Sequence, residues 1–149
     1  MELFLYTFTN KIDRKGRVSV PADFRAVLAR RGSPHMVLYP AMGYPAIEGA
    51  SEDFRNGLVA KIESFAPFSV ERENMVNSIM PFVRRLAFDG EGRIVLPGDL
   101  ISESNSGITD TAVFVGRGES FQIWRPEEWE RRAKDVRRTA ATLWQGGKG

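Results

Sequence analysis

Lys11, Arg14, Lys15 and Arg17 stand within one short stretch, and Asp13 is the opposing charge among them. Ammonium and guanidinium groups at that density suit phosphate oxygens, and an arginine fork also matches the O6 and N7 acceptors of guanine in a DNA major groove. A solvated charged turn has the same composition, so the cluster alone does not decide. The arginine recurs, however. Arg93 follows Gly92 as Arg17 follows Gly16, and each closes an Asp-x-x-Gly-Arg sequence beginning at Asp13 or Asp89. There the carboxylate accepts hydrogen bonds from amides downstream and the glycine takes a crowded or left-handed conformation. Asp13, Gly16, Asp89 and Gly92 are therefore expected to build turns rather than to catalyse. Arg14, Lys15, Arg17 and Arg93 are the expected DNA-binding side chains, with Lys11 and Arg85 flanking them. Glu91 occupies the place of Lys15 in the second turn, which makes that turn the weaker of the two.

Other chemistries find little material. There is no cysteine and one histidine, His35, so neither a thiolate cluster nor a recognisable zinc site is expected. An enzyme needs a nucleophile with a base, or a paired acid and base, and the carboxylates fall mostly in turns and helix starts. No enzymatic activity, no cofactor and no metal are expected. Gly116-Arg117-Gly118 lies between two apolar stretches rather than ahead of a helix, and reads as a hairpin turn rather than a phosphate loop. The net charge of +2, from 21 cations and 19 anions, decides nothing about partners. No apolar stretch is long enough to span a membrane and the N-terminus lacks the features of an export signal, so a cytoplasmic protein is expected.

The elements that must position the turns follow from periodicity. Val18 and Val20, like Ile94 and Leu96, alternate with Ser19 and Val95, the period of a strand with one buried face. Pro21 and Pro97 end those strands. Phe24, Val27 and Leu28 then recur at helical spacing until Gly32. Further strands are expected at 36–39 with 46–48, and at 112–115 with 121–124. Ser51 and Ser69 read as N-caps of two connector helices, the first with Phe54, Leu58 and Ile62 on one face and the second carrying Met75, Val76, Ile79 and Met80. A last helix opens at Pro126-Glu127-Glu128 and places Trp129, Ala133, Val136, Ala140 and Leu143 along one stripe, which wants a partner surface. Trp124, Trp129 and Trp144 are expected to pack in the core or at an interface rather than to stack on bases, and residues 145–149 to fray.

Displacing the sequence by 76 residues lays Ile12–Phe24 on Phe88–Leu100, Val37-Leu38-Tyr39 on Val113-Phe114-Val115, and Ile47 on Ile123. A correspondence that outlasts the motif marks an internal duplication. The expected fold is α+β, mainly β, made of two tandem β-rich units with pseudo-twofold symmetry and flanking helices. The units span 7–54 and 83–126, with a helical connector over 55–82 and a C-terminal helix and tail over 127–149.

The residues from Asn10 to Arg25, with Asp13-Arg14-Lys15-Gly16-Arg17 at their centre, closely resemble the first motif of the MraZ family, and those from Arg84 to Pro97 resemble its second. Order, spacing and total length fit. The resemblance implies two SpoVT-AbrB-like units, a transcriptional regulator of the division and cell wall gene cluster that includes its own promoter, and a ring-like homo-oligomer binding repeated short boxes in double-stranded promoter DNA, with a nucleoid location and no membrane. A ring-forming structural scaffold without specific DNA binding is the alternative, since the apolar stripe of the last helix serves assembly as well.

Overall fold

The computed structural model describes residues 2–146, without the side chains of Phe54 and Arg55, so the expected role of Phe54 and most of the expected frayed tail (147–149) lie outside the described residues. The first half runs β1 (Thr7–Lys11), β2 (Arg17–Ser19), helix α1 (Ala22–Arg30), β3 (Met36–Pro40) and β4 (Ile47–Ser51). Helices α2 (Phe54–Glu63) and α3 (Val70–Ile79), with a 3-10 turn over Met80–Phe82, follow. The second half repeats the order as β5 (Arg84–Leu86), β6 (Arg93–Val95), α4 (Gly98–Glu103), β7 (Thr111–Gly116) and β8 (Phe121–Trp124), before the closing helix α5 (Pro126–Gly146). The fold is α+β, mainly β, and is a tandem duplication.

The two halves interlock. Six strands form one sheet in the order β1-β7-β8-β4-β3-β5, and β2 with β6 forms a separate antiparallel ribbon. Exchanging the halves reverses the sheet order without changing it. Each half lends its first strand to the other, β1 pairing with β7 and β5 with β3. Val18 faces Ile94 in the ribbon and Ile47 faces Ile123 in the sheet. Each thus meets its own counterpart, as a twofold axis through both pairs requires. The symmetry is imperfect in the hairpins: Ile47 is opposite Pro40, but Ile123 is opposite Phe114, the counterpart of Leu38. The loop over 41–46 is longer than that over 117–120, and the register shifts accordingly.

The core lies between the ribbon with α1 and α4 on one side and the inner face of the sheet on the other. Alternation drives it: Val18, Val20, Ile94 and Leu96 turn inward to meet Leu38, Ile47, Phe114 and Ile123. Phe24 of α1 sits at its centre, with the rings of Phe4, Phe8, Phe114 and Phe121 5.3, 5.4, 6.4 and 5.0 Å away. Burying one such ring is worth about 1.5–3 kcal/mol, so these rings tie α1 to the sheet. The outer face of the sheet carries two smaller clusters. Val37 and Tyr39 pack with Ile79 of α3, and Val113, Val115 and Trp124 pack with Trp129 of α5.

Three expectations change. Ser51 is the last residue of β4, opposite Met36, rather than a helix cap; Asp53 precedes α2 and its side chain makes no capping bond. Ser69 does cap α3, accepting from the Arg72 amide at 3.2 Å. The fourth strand begins at Ile47 and reaches Ser51, because Gly49 lets the ring of Phe121 lie where a Cβ would stand. Finally, α5 includes Gln145 and Gly146 of the expected frayed tail, and outruns the sheet: every residue over 134–146 is exposed, Trp144 among them at 74%. Trp124 and Trp129 pack in the body, with ring centroids 5.6 Å apart, and of the two expected places core packing is not the one Trp144 takes.

Candidate nucleic-acid interface

The ribbon gives the expected residues their geometry. Its register sets Arg17 opposite Val95 and Ser19 opposite Arg93. With Val18 and Ile94 turned into the core, these four side chains share the opposite face. Arg17 and Arg93 are diagonal neighbours there, about 7–8 Å apart by ribbon geometry. Val95, 57% exposed, lies opposite Arg17 and next to Arg93 along this face of the strand, and offers an apolar contact.

Each arginine is aimed by its own turn, and the two turns match bond for bond. In the first, Asp13 Oδ1 accepts from the amides of Lys15 and Arg17, both at 2.9 Å, and Oδ2 takes the Nε–H of Arg17 at 2.6 Å. In the second, Asp89 Oδ1 accepts from the amides of Glu91 and Arg93 at 2.9 Å, and Oδ2 takes the Nε–H of Arg93 at 2.9 Å. Gly16 and Gly92 have φ of +79° and +77°, the left-handed region that a side chain disfavours. The Arg17 amide, followed by the other bonds from Arg17 and Lys15, holds the Asp13 carboxyl below its ordinary pKa. The Arg93 amide does the same for Asp89, joined by the Glu91 amide and the Arg93 guanidinium. These carboxylates are latches that orient a guanidinium through Nε.

The turns differ in charge. Lys11, Arg14 and Lys15 are all exposed at the first. At the second, Gly90 replaces Arg14, and Glu91 lies 3.5 Å from Arg93 Nη2. Arg25, which the charge pattern of the loops did not bring forward, is also placed at this turn. It reaches from α1 to lie against Gly92 and donates from Nε to the Val20 carbonyl at 3.1 Å. The duplication gives no signal for it, since Arg25 falls opposite Ile101.

Arg85 is not brought to this face. It lies on β5 at the sheet edge and binds Glu52 through Nε at 2.8 Å and Nη2 at 2.5 Å, bonds that hold the Glu52 carboxyl below its ordinary pKa. Arg84 pairs with Asp99. His35 Nδ1 is 3.3 Å from Glu52 and belongs to the same edge cluster. Among the described residues no group of three His, Asp or Glu side chains is placed to hold a metal ion, and no helix is long and apolar enough to cross a membrane.

Residues 84–142 match the family described as "MraZ protein, putative antitoxin-like". The chain is 41% identical to the transcriptional regulator MraZ of Pelagibacter ubique over 93% of its own length and 88% of that protein's. It is 39% identical to the protein of that name from Gluconobacter oxydans, over 96% and 88%, and 36% identical to that from Rickettsia akari, over 94% and 93%. The chain belongs to the MraZ family.

For an MraZ chain the arrangement has a clear chemical capacity. It displays two oriented guanidinium forks on a two-stranded ribbon packed against the core. That is equipment for binding an anionic surface of regular spacing.

Proposed function

We propose that this chain is a sequence-specific DNA-binding transcriptional regulator that contacts promoter DNA through the ribbon face. The observation that carries the reading is the pair of diagonal arginines, Arg17 and Arg93, each held through Nε by an Asp latch of the same design. A guanidinium gripped at Nε is preorganised, and a two-stranded ribbon fits a major groove. Arg17 reads base edges, Arg14, Lys15 and Lys11 bind phosphates, and Arg93 contributes less because Glu91 competes for it. Arg85, tied to Glu52, is left at the rim. In this reading the units 7–54 and 83–126 each present one turn, and 55–82 and α5 serve the body and its assembly.

The target is the chain's own promoter, ahead of the division and cell wall genes, with repeated short boxes engaged by several subunits of a ring-like homo-oligomer at the nucleoid. One subunit offers few cations, so affinity at cellular salt rests on linked engagement, which adds roughly 10² to 10⁴ in avidity. The test is fluorescence anisotropy of purified full chain with the DNA immediately upstream of its own gene and with a scrambled duplex of the same length. Preference for the upstream DNA supports the reading; equal binding to both refutes it. The scaffold reading rests on the exposed end of α5, with Leu143 69% and Trp144 74% exposed. A chain that assembles in light scattering yet binds neither duplex would be a scaffold.

A further inference from the structure

On the outer face of the sheet, away from the ribbon, two arginines converge on one aromatic ring. The guanidinium carbon of Arg117, in the β7–β8 turn, lies 5.3 Å from the centroid of Tyr44, and that of Arg132, on α5, lies 4.9 Å from it. Tyr44 comes from the longer loop of the first half, so the cluster joins both halves of the chain to the last helix. Beneath it is an open cavity of about 210 Å3 floored by Val115, Gln122 and Trp124 and walled by Trp129.

The charges here are not balanced. Arg117 Nη1 is 3.6 Å from Glu48, but that buried carboxylate already accepts from Ser120 Oγ at 2.5 Å and Gln122 Nε2 at 2.9 Å. Gln122 is in turn fixed by Trp124, whose Nε1–H donates to Oε1 at 2.9 Å. Among the described residues no carboxylate lies within ion-pair reach of Arg132, its neighbour Glu128 being held by Arg131 at 2.6 Å. Two like charges are thus held at one ring beside one cavity, and Glu48 pairs with Arg117 alone.

The geometry points to a binding site for a phosphate monoester carried on a flat apolar body. A guanidinium drawn to a ring by its charge keeps N–H donors free for an anion, and each fork takes two oxygens in one plane. A carboxylate has two oxygens and satisfies one fork; the three terminal oxygens and double charge of a phosphate monoester satisfy two. The half-buried indole of Trp129 and the exposed side chain of Val136 supply an apolar wall for the body. At roughly 30 Å3 per water molecule the cavity has room for a head group and a single ring. This site is independent of DNA binding by the ribbon, from which the sheet separates it.

The test uses the full chain carrying Trp144→Phe, so that emission comes from Trp124 and Trp129, titrated with phenyl phosphate at about 0.15 M salt to remove loosely held ions. A saturable change is expected, with half-saturation at least about tenfold higher for benzoate and for inorganic phosphate. Arg132→Gln is expected to raise the half-saturation for phenyl phosphate by about tenfold or more while leaving the near-UV circular dichroism unchanged. Arg117→Lys, which keeps a charge beside Glu48 but loses the fork, is expected to weaken it too. Linear, unsaturable quenching that is the same with and without Arg132→Gln overturns the proposal. So does binding that Arg14→Gln or Lys15→Gln abolishes and Arg132→Gln does not, since the phosphate would then sit on the ribbon.

Discussion

The two turns share every backbone bond, yet an alanine in place of their glycines is expected to cost different amounts. Gly16 and Gly92 have the same left-handed backbone, so Gly16→Ala and Gly92→Ala both incur about 1–2 kcal/mol of steric strain. At Gly16 the new Cβ would lie 3.6 Å from Val95 Cγ1, an ordinary separation. At Gly92 it would lie 2.6, 2.7 and 2.8 Å from Cζ, Nε and Nη1 of Arg25. The guanidinium must move, and its bond to the Val20 carbonyl breaks. A net hydrogen bond is worth about 0.5–1.5 kcal/mol, so Gly92→Ala should destabilise by about 1 kcal/mol more than Gly16→Ala. In a chain of this size that is a further 2–4 °C or so in Tm. Urea unfolding of both variants, alone and combined with Arg25→Ala, measures it. The excess at Gly92 should vanish when Arg25 is absent, as a double-mutant cycle requires of two residues that touch. Equal costs at the two glycines, or an excess that persists with Arg25→Ala, would refute the assignment of Arg25 to the second turn.

Acid should release the latches. Asp13 and Asp89 have folded pKa values lowered from the ordinary 3.8, so their contribution is complete above that value and fades as pH falls through the lowered folded pKa. Carbon-detected NMR titration should place both carboxyl midpoints below 3.8, and a midpoint at or above it would contradict the latch. Glu48→Ala leaves Ser120 Oγ, Gln122 Nε2 and Arg117 without their acceptor. At about 1–3 kcal/mol for each buried group left unsatisfied, several kcal/mol of stability should be lost in denaturant unfolding, and a loss under about 1 kcal/mol would mean that water replaces the carboxylate. Lys15→Gln should weaken promoter and scrambled DNA alike and reduce the log–log salt slope by about one unit for each phosphate that is no longer neutralised. An unchanged slope would remove Lys15 from the phosphate-binding set.

Much of this was legible in the chain because the deciding forces are local. The alternation of Val18 and Val20, and of Ile94 and Leu96, settles which face of the ribbon is buried, and so that Arg17 and Arg93 share the other. The Asp-x-x-Gly-Arg turns close on themselves through neighbouring amides, and their form follows from residue type. Pairing partners were not legible. Nothing near Thr7 or Arg84 indicates that β1 joins β7 and β5 joins β3, since a strand's own pattern carries its faces and not its neighbour. Gly49 looks like a strand breaker until Phe121, distant in sequence, fills its missing side chain. Arg85 has the charge of a DNA-binding residue, but Glu52 is folded against it across the connector. Trp144 could be core or interface from its sequence alone, and only the length of α5 beyond the sheet takes it out of the core.

The central claim, that the ribbon face is the DNA interface, is tested most directly by Arg17→Ala. The two backbone bonds to Asp13 and the turn glycine remain without the guanidinium, so circular dichroism should show an unchanged fold. Discrimination between the upstream DNA and a scrambled duplex should fall by about 1–3 kcal/mol for each engaged subunit, which in a multivalent assembly abolishes specific binding. Arg93→Ala, measured alongside, should cost less. A folded Arg17→Ala chain with undiminished preference for its own upstream DNA would contradict the account and move the interface off the ribbon.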